Sequence, residues 1–106
     1  MALLDSPADL LELHDGQSVE FTPLRFLSGE LVIQPRTSPV GKTVPALRIW
    51  VSLADKSLGA PYWDITDGTT IARLLPILSE IVSGRRRIRL TMHGVAPIAR
   101  HQIDVL

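Results

Sequence analysis

Thr66-Asp-Gly-Thr-Thr-Ile-Ala-Arg-Leu-Leu-Pro-Ile-Leu-Ser-Glu-Ile-Val-Ser-Gly-Arg-Arg-Arg-Ile-Arg-Leu-Thr-Met92 reads as an amphipathic helix, a glycine stop and a strand carrying four arginines. Ile71, Leu74, Leu75, Leu78, Ile81 and Val82 recur with the 3.6-residue period that places them on one helical face. Thr66 or Asp67 can cap the first turn by accepting from an otherwise orphan amide. Gly84 suits a left-handed helix end. Pro76 removes a donor and crowds the preceding turn. It falls opposite the apolar stripe, so the pattern predicts a kink there or a helix that begins near Leu75.

Strand-like sequence flanks this unit on both sides. Residues 19–27 alternate, with Pro23 marking a bulge or edge where the pattern slips. Ser28-Gly29 reads as a turn and residues 31–34 as a second strand. Residues 35–45 carry three prolines and a glycine, the chemistry of a loop. Residues 46–54 form the clearest strand, with Leu47, Ile49, Val51 and Leu53 on one face and Ala46, Arg48, Trp50 and Ser52 on the other. Residues 55–63 read as a loop whose aromatics brace the start of the helix. Residues 85–93 and 98–106 supply the last two strands. Ile88, Leu90 and Met92 point inward on the first of these, and Ala99, His101, Ile103 and Val105 on the second. At the N-terminus, Ser6-Pro7-Ala8-Asp9 has the cap, proline and acid of a helix start, and Gly16 would end that short helix.

The chain has 106 residues, 45% of them apolar, which suffices for one modest core. The expected organisation is a single domain, with residues 1–16 as a helical appendage and 17–106 as a barrel. Formal net charge is zero. It is unevenly distributed: six acids against Arg25 give −5 up to Gln34, and ten bases against five acids give +5 from Pro35 onward. A neutral molecule can thus present a basic face, unless acids and bases pair within the fold. There is no cysteine, so neither a disulfide nor a thiolate metal site is available. No apolar run spans a bilayer and no basic secretory leader opens the chain, so a cytoplasmic protein without membrane contact is expected. Asparagine is absent. That fits a thermophilic source, and a GC-rich genome explains it equally well.

No motif carries catalytic chemistry. Gly41-Lys42-Thr43 lacks the upstream glycine and the strand–helix setting of a phosphate-binding loop. Asp64 to Gly68 has the wrong acid spacing for calcium. The three histidines have no short ligand spacing, and no nucleophile has a recognisable base, so neither an enzyme, a metal nor a cofactor is expected.

Three strands, a helix and two more strands suit a five-stranded Greek-key barrel plugged by the helix. In that order, β-β-β-α-β-β after a short N-terminal helix, the chain resembles the OB-fold. The rival architecture is an open antiparallel sheet with one helix across a face. The resemblance implies a binding face on the second and third strands, where Arg36, Lys42, Arg48 and Trp50 fall. Arg87 and Arg89 alternate outward on the strand after the helix. An indole beside basic groups suits stacking on bases and contact with phosphates. The expected function is therefore binding of single-stranded nucleic acid. The alternative is a protein-interaction or assembly module, a homodimer or a phage or archaeal accessory protein.

Overall fold

The computed structural model describes residue 4 and residues 7–33, 41–95 and 99–106. Arg36, and with it the tip of the 35–45 loop, lies outside the described residues. Two antiparallel sheets of three strands share one helix. The first sheet has the order β2-β3-β4, from β2 (Arg25–Ile33), β3 (Lys42–Trp50) and β4 (Tyr62–Ile65). The second has the order β1-β5-β6, from β1 (Ser18–Phe21), β5 (Ile88–His93) and β6 (Arg100–Val105). Helix α1 (Gly68–Ser83) packs against β2 and β3 of one sheet and β6 of the other.

The expected closed barrel of five strands is not formed. Six strands divide into two sheets, and among the described residues no ladder joins them; the open-sheet alternative fits. Pro23 is the corner. It is buried, Thr22 donates its amide to the Asp55 carboxylate, and the Leu24 amide reaches the Trp50 carbonyl. The chain there leaves one sheet and joins the other. Ser28-Gly29, expected as a turn, lies inside β2, with Gly29 opposite Ala46. Tyr62 and Trp63, expected within the loop 55–63, begin the core strand β4.

Strand alternation sets the core. Phe21, Leu47, Ile49, Val51, Ile65, Ile88 and Leu90 meet Leu74, Leu78 and Ile81 of α1, and Phe26, Trp63 and Ile103 pack around them. Pro45 sits within β3 at no cost to the ladder. It lies opposite Glu30 and before the first residue of β3 that pairs with β4, where no amide is required.

The N-terminal segment also departs from expectation. Residues 7–14 form an extended arm rather than a helix. Leu10 bridges Asp64 in parallel, the Leu11 amide donates to the Asp64 carbonyl, and the Asp64 amide donates to the Asp9 carbonyl. A helix of this length gains little alone; pairing with β4 satisfies the same backbone groups and covers a sheet edge.

Helix α1 is continuous through Pro76, which faces solvent, and Asp67 is its cap. Its end is not the left-handed glycine expected. Gly84 has φ −83° and the left-handed residue is Arg85, with φ 52°. An L-side chain there costs about 1–2 kcal/mol, part of which glycine returns in unfolded-state entropy. Arg85→Gly is therefore expected to leave stability unchanged or raise it by up to about 1 kcal/mol in denaturant unfolding. A clear loss would show that the Arg85 side chain stabilises the fold.

Candidate functional site

Arg48 and Trp50 do share a face of β3, as alternation requires, but the arm lies across part of that face. Leu4 packs on Leu31 and Ala46, with its amide on the Glu30 carbonyl. Arg48 is only 2% exposed, so its expected outward position is corrected. Its guanidinium forks onto Asp64, Nε to Oδ1 at 2.7 Å and Nη2 to Oδ2 at 3.0 Å. It also lies 4.0 Å from the Tyr62 ring centroid, and Nη2 reaches the Pro7 carbonyl at 3.5 Å. Asp64 accepts the Asp9 amide at 2.9 Å, and the Tyr62 hydroxyl donates to the Pro7 carbonyl. Farther along the arm, Asp9 pairs with Lys56. The hydrogen bond to Asp64 raises the Arg48 pKa above its ordinary value, against the opposing effect of burial.

The other expected nucleic-acid contacts do not converge on this face. Trp50 is half-buried, with the Arg25 guanidinium 4.0 Å from its centroid and the Tyr62 ring at 5.7 Å. Lys42 is exposed at the opposite end of β3, about 27 Å away for eight extended residues. Arg87 bonds Asp55 at 3.1 Å, and Arg89 bonds Glu20 through Nε at 2.8 Å. Arg89 thus lies on β5 of the other sheet and Arg87 just before it, each beside an acid.

A second polar cluster lies under the start of α1. The Thr70 hydroxyl donates to Asp67 at 2.6 Å, so its oxygen accepts from His101 Nδ1 at 2.9 Å. His101 Nε2 is buried and has no partner among the described residues. No group of three potential metal ligands occurs among them either. The bond from Thr70 leads the causes that hold the Asp67 carboxyl below its ordinary 3.8.

The remaining candidate is main chain. Leu106 donates its amide to the Arg87 carbonyl, and Met92 exchanges bonds with Gly16 and Gln17 on the β1 side. Alternation along the antiparallel ladder then turns the N–H and C=O groups of His101, Ile103 and Val105 away from β5, toward the free edge. Arg73 confirms this by donating to the His101 carbonyl at 3.2 Å. Ile103 and Val105 have no such partner among the described residues. Beside them, Ile77, Glu80, Ile81, Arg86 and Val105 line a groove of about 210 Å³. Val105 and Leu106 are 42% and 43% exposed. Sequence reasoning assigned β6 its inward face and missed its edge, because an edge depends on sheet order.

No protein-family model, curated protein or solved structure matches the chain. No described helix is long and apolar enough to cross a membrane.

Arg48→Ala or Asp64→Ala alone is expected to cost about 3–5 kcal/mol, since each strands a buried charge. The double replacement Arg48→Met/Asp64→Leu is expected to cost less than the sum, which a denaturant double-mutant cycle measures. Limited proteolysis of Asp64→Ala is expected to cut within residues 7–14, where the wild type resists. For Asp67, the lowered folded-state pKa means stability that is present above 3.8 and lost as pH falls through the folded value. Asp67→Asn keeps the cap without the titration. Its stability deficit is expected near neutrality and to vanish in strong acid, as followed by thermal melts from neutral pH downward.

Proposed function

We propose that this chain is a non-enzymatic protein-interaction module that takes up an extended strand along the outer edge of β6. The observation that carries this reading is the outward set of main-chain groups at Ile103 and Val105 beside a groove of mixed apolar and charged lining. Strand addition uses this combination: main-chain hydrogen bonds supply affinity, and pockets for alternate side chains supply specificity. The β4 edge is already taken by the arm, β1 offers only four residues, and the β2 edge receives the Leu4 amide at Glu30.

The charge arrangement weighs against the nucleic-acid alternative. A single strand needs free cations and open rings on one surface. Here Arg48 is enclosed, Arg87 and Arg89 face acids, and Arg25 stacks on Trp50.

Titrating isotope-labelled protein with extended peptides from a random library is expected to shift the amide resonances of Ile103 and Val105. A single-stranded oligonucleotide is expected to leave the Trp50 indole resonance in place. An indole shift that fades steeply with added salt would return the function to nucleic acid.

A further inference from the structure

Resting on that reading of the β6 edge, we infer that its occupant is a second copy of this chain, paired antiparallel through β6 about a two-fold axis at Gln102. The edge is self-complementary in this register. A two-fold places residue i of one copy opposite residue j of the other and the reverse. With Gln102 on the axis, His101 faces Ile103 of the second copy and Val105 faces Ala99 of the second copy. These are the positions whose main-chain groups point outward, so the new ladder forms between groups already aimed across the gap.

Charge selects this register. Arg100 is exposed and has no acid partner among the described residues, while Asp104 is held only by the Gln102 side-chain amide. In the proposed pairing Arg100 lies directly opposite Asp104 of the second copy, twice per dimer. Both pairs occupy the non-hydrogen-bonded sites, where side chains approach most closely. Placing Ile103 on the axis instead sets Arg100 against Leu106 of the second copy and leaves the charge unmatched. The Arg73 guanidinium, which caps the His101 carbonyl, sits on an exposed stretch of α1 and swings aside. The two three-stranded sheets then become one of six strands.

Sedimentation equilibrium of the intact chain tests this. The mass is expected to rise from 11.7 kDa toward twice that value with concentration. Over the range from about 10 µM to about 1 mM, a small interface of this kind associates measurably. Arg100→Asp and Asp104→Arg each place like charges across both contacts. Each alone is expected to weaken association about tenfold or more. Mixing the two variants matches every contact again and is expected to restore a dimer containing one of each. Circular dichroism checks that both variants are folded, and Arg100, exposed and without a side-chain hydrogen bond or ion pair among the described residues, is the safer of the two. A wild type that stays at 11.7 kDa throughout, or one whose association ignores both reversals, overturns the self-pairing. If peptides still shift Ile103 and Val105 in a monomeric wild type, the docking edge stands and only its occupant is wrong. If they do not, both readings fall.

Discussion

The buried fork between Arg48 and Asp64 is the constraint on which the rest of the molecule depends. Removing two charges from water is expensive, and attraction between them offsets that cost only when the remaining donors and acceptors are also satisfied. They are satisfied here by the arm. The Asp9 amide goes to Asp64, and the Pro7 carbonyl takes Arg48 and Tyr62. The pair therefore does more than join β3 to β4. It sets the position at which a third, sequence-distant segment lies down, and the Tyr62 ring under the guanidinium closes the site to solvent.

That arrangement also accounts for the open architecture. Closing a barrel requires the free edges of the two sheets to find each other. The Phe21 and Trp63 rings meet at 5.3 Å, so β1 and β4 approach closely. Yet the β4 edge has already been given to the arm. Leu10, Leu11 and Leu13 of the arm line a groove with Val19 and Trp63 where a closing ladder would otherwise run. The arm completes one sheet and by doing so keeps it apart from the other.

What could be read from the sequence follows from the range of each interaction. The stripe on α1 and the alternation of β3 are local periodicities, and both were legible; the burial of Ala46 and Arg48 and the exposure of Leu53 were not. So was the corner at Pro23, as a break in alternation if not as a change of sheet. Asp64 was not, because its role requires a partner sixteen residues away in a specific register. A signal was present: Arg48 sits between Leu47 and Ile49, and Asp64 between Trp63 and Ile65. Single charges of opposite sign inside two apolar runs are each costly to bury alone. The expected N-terminal helix is not formed over residues 7–14, for a related reason. Its capping signature is local, whereas the hydrogen bonds that hold the arm extended are tertiary and more numerous.

The distribution of paired and unpaired charge finally separates what the molecule keeps for itself from what it offers. Glu20 with Arg89 and Asp55 with Arg87 are bonds between segments, and each sets an acid beside a cation of the surface that sequence polarity suggested. Zero net charge is thus balanced in part by pairs formed in place. Arg100 has no acid partner among the described residues, and it lies on an edge strand, β6. A cation two residues before Gln102 and an acid two residues after it flank an edge on which the Ile103 and Val105 main-chain groups lack partners among the described residues, so the edge is readable in two ways at once. Main-chain bonding alone would accept any strand in any register. In the proposed pairing, the opposite charges at Arg100 and Asp104 would restrict which strand, and in which register, the edge accepts.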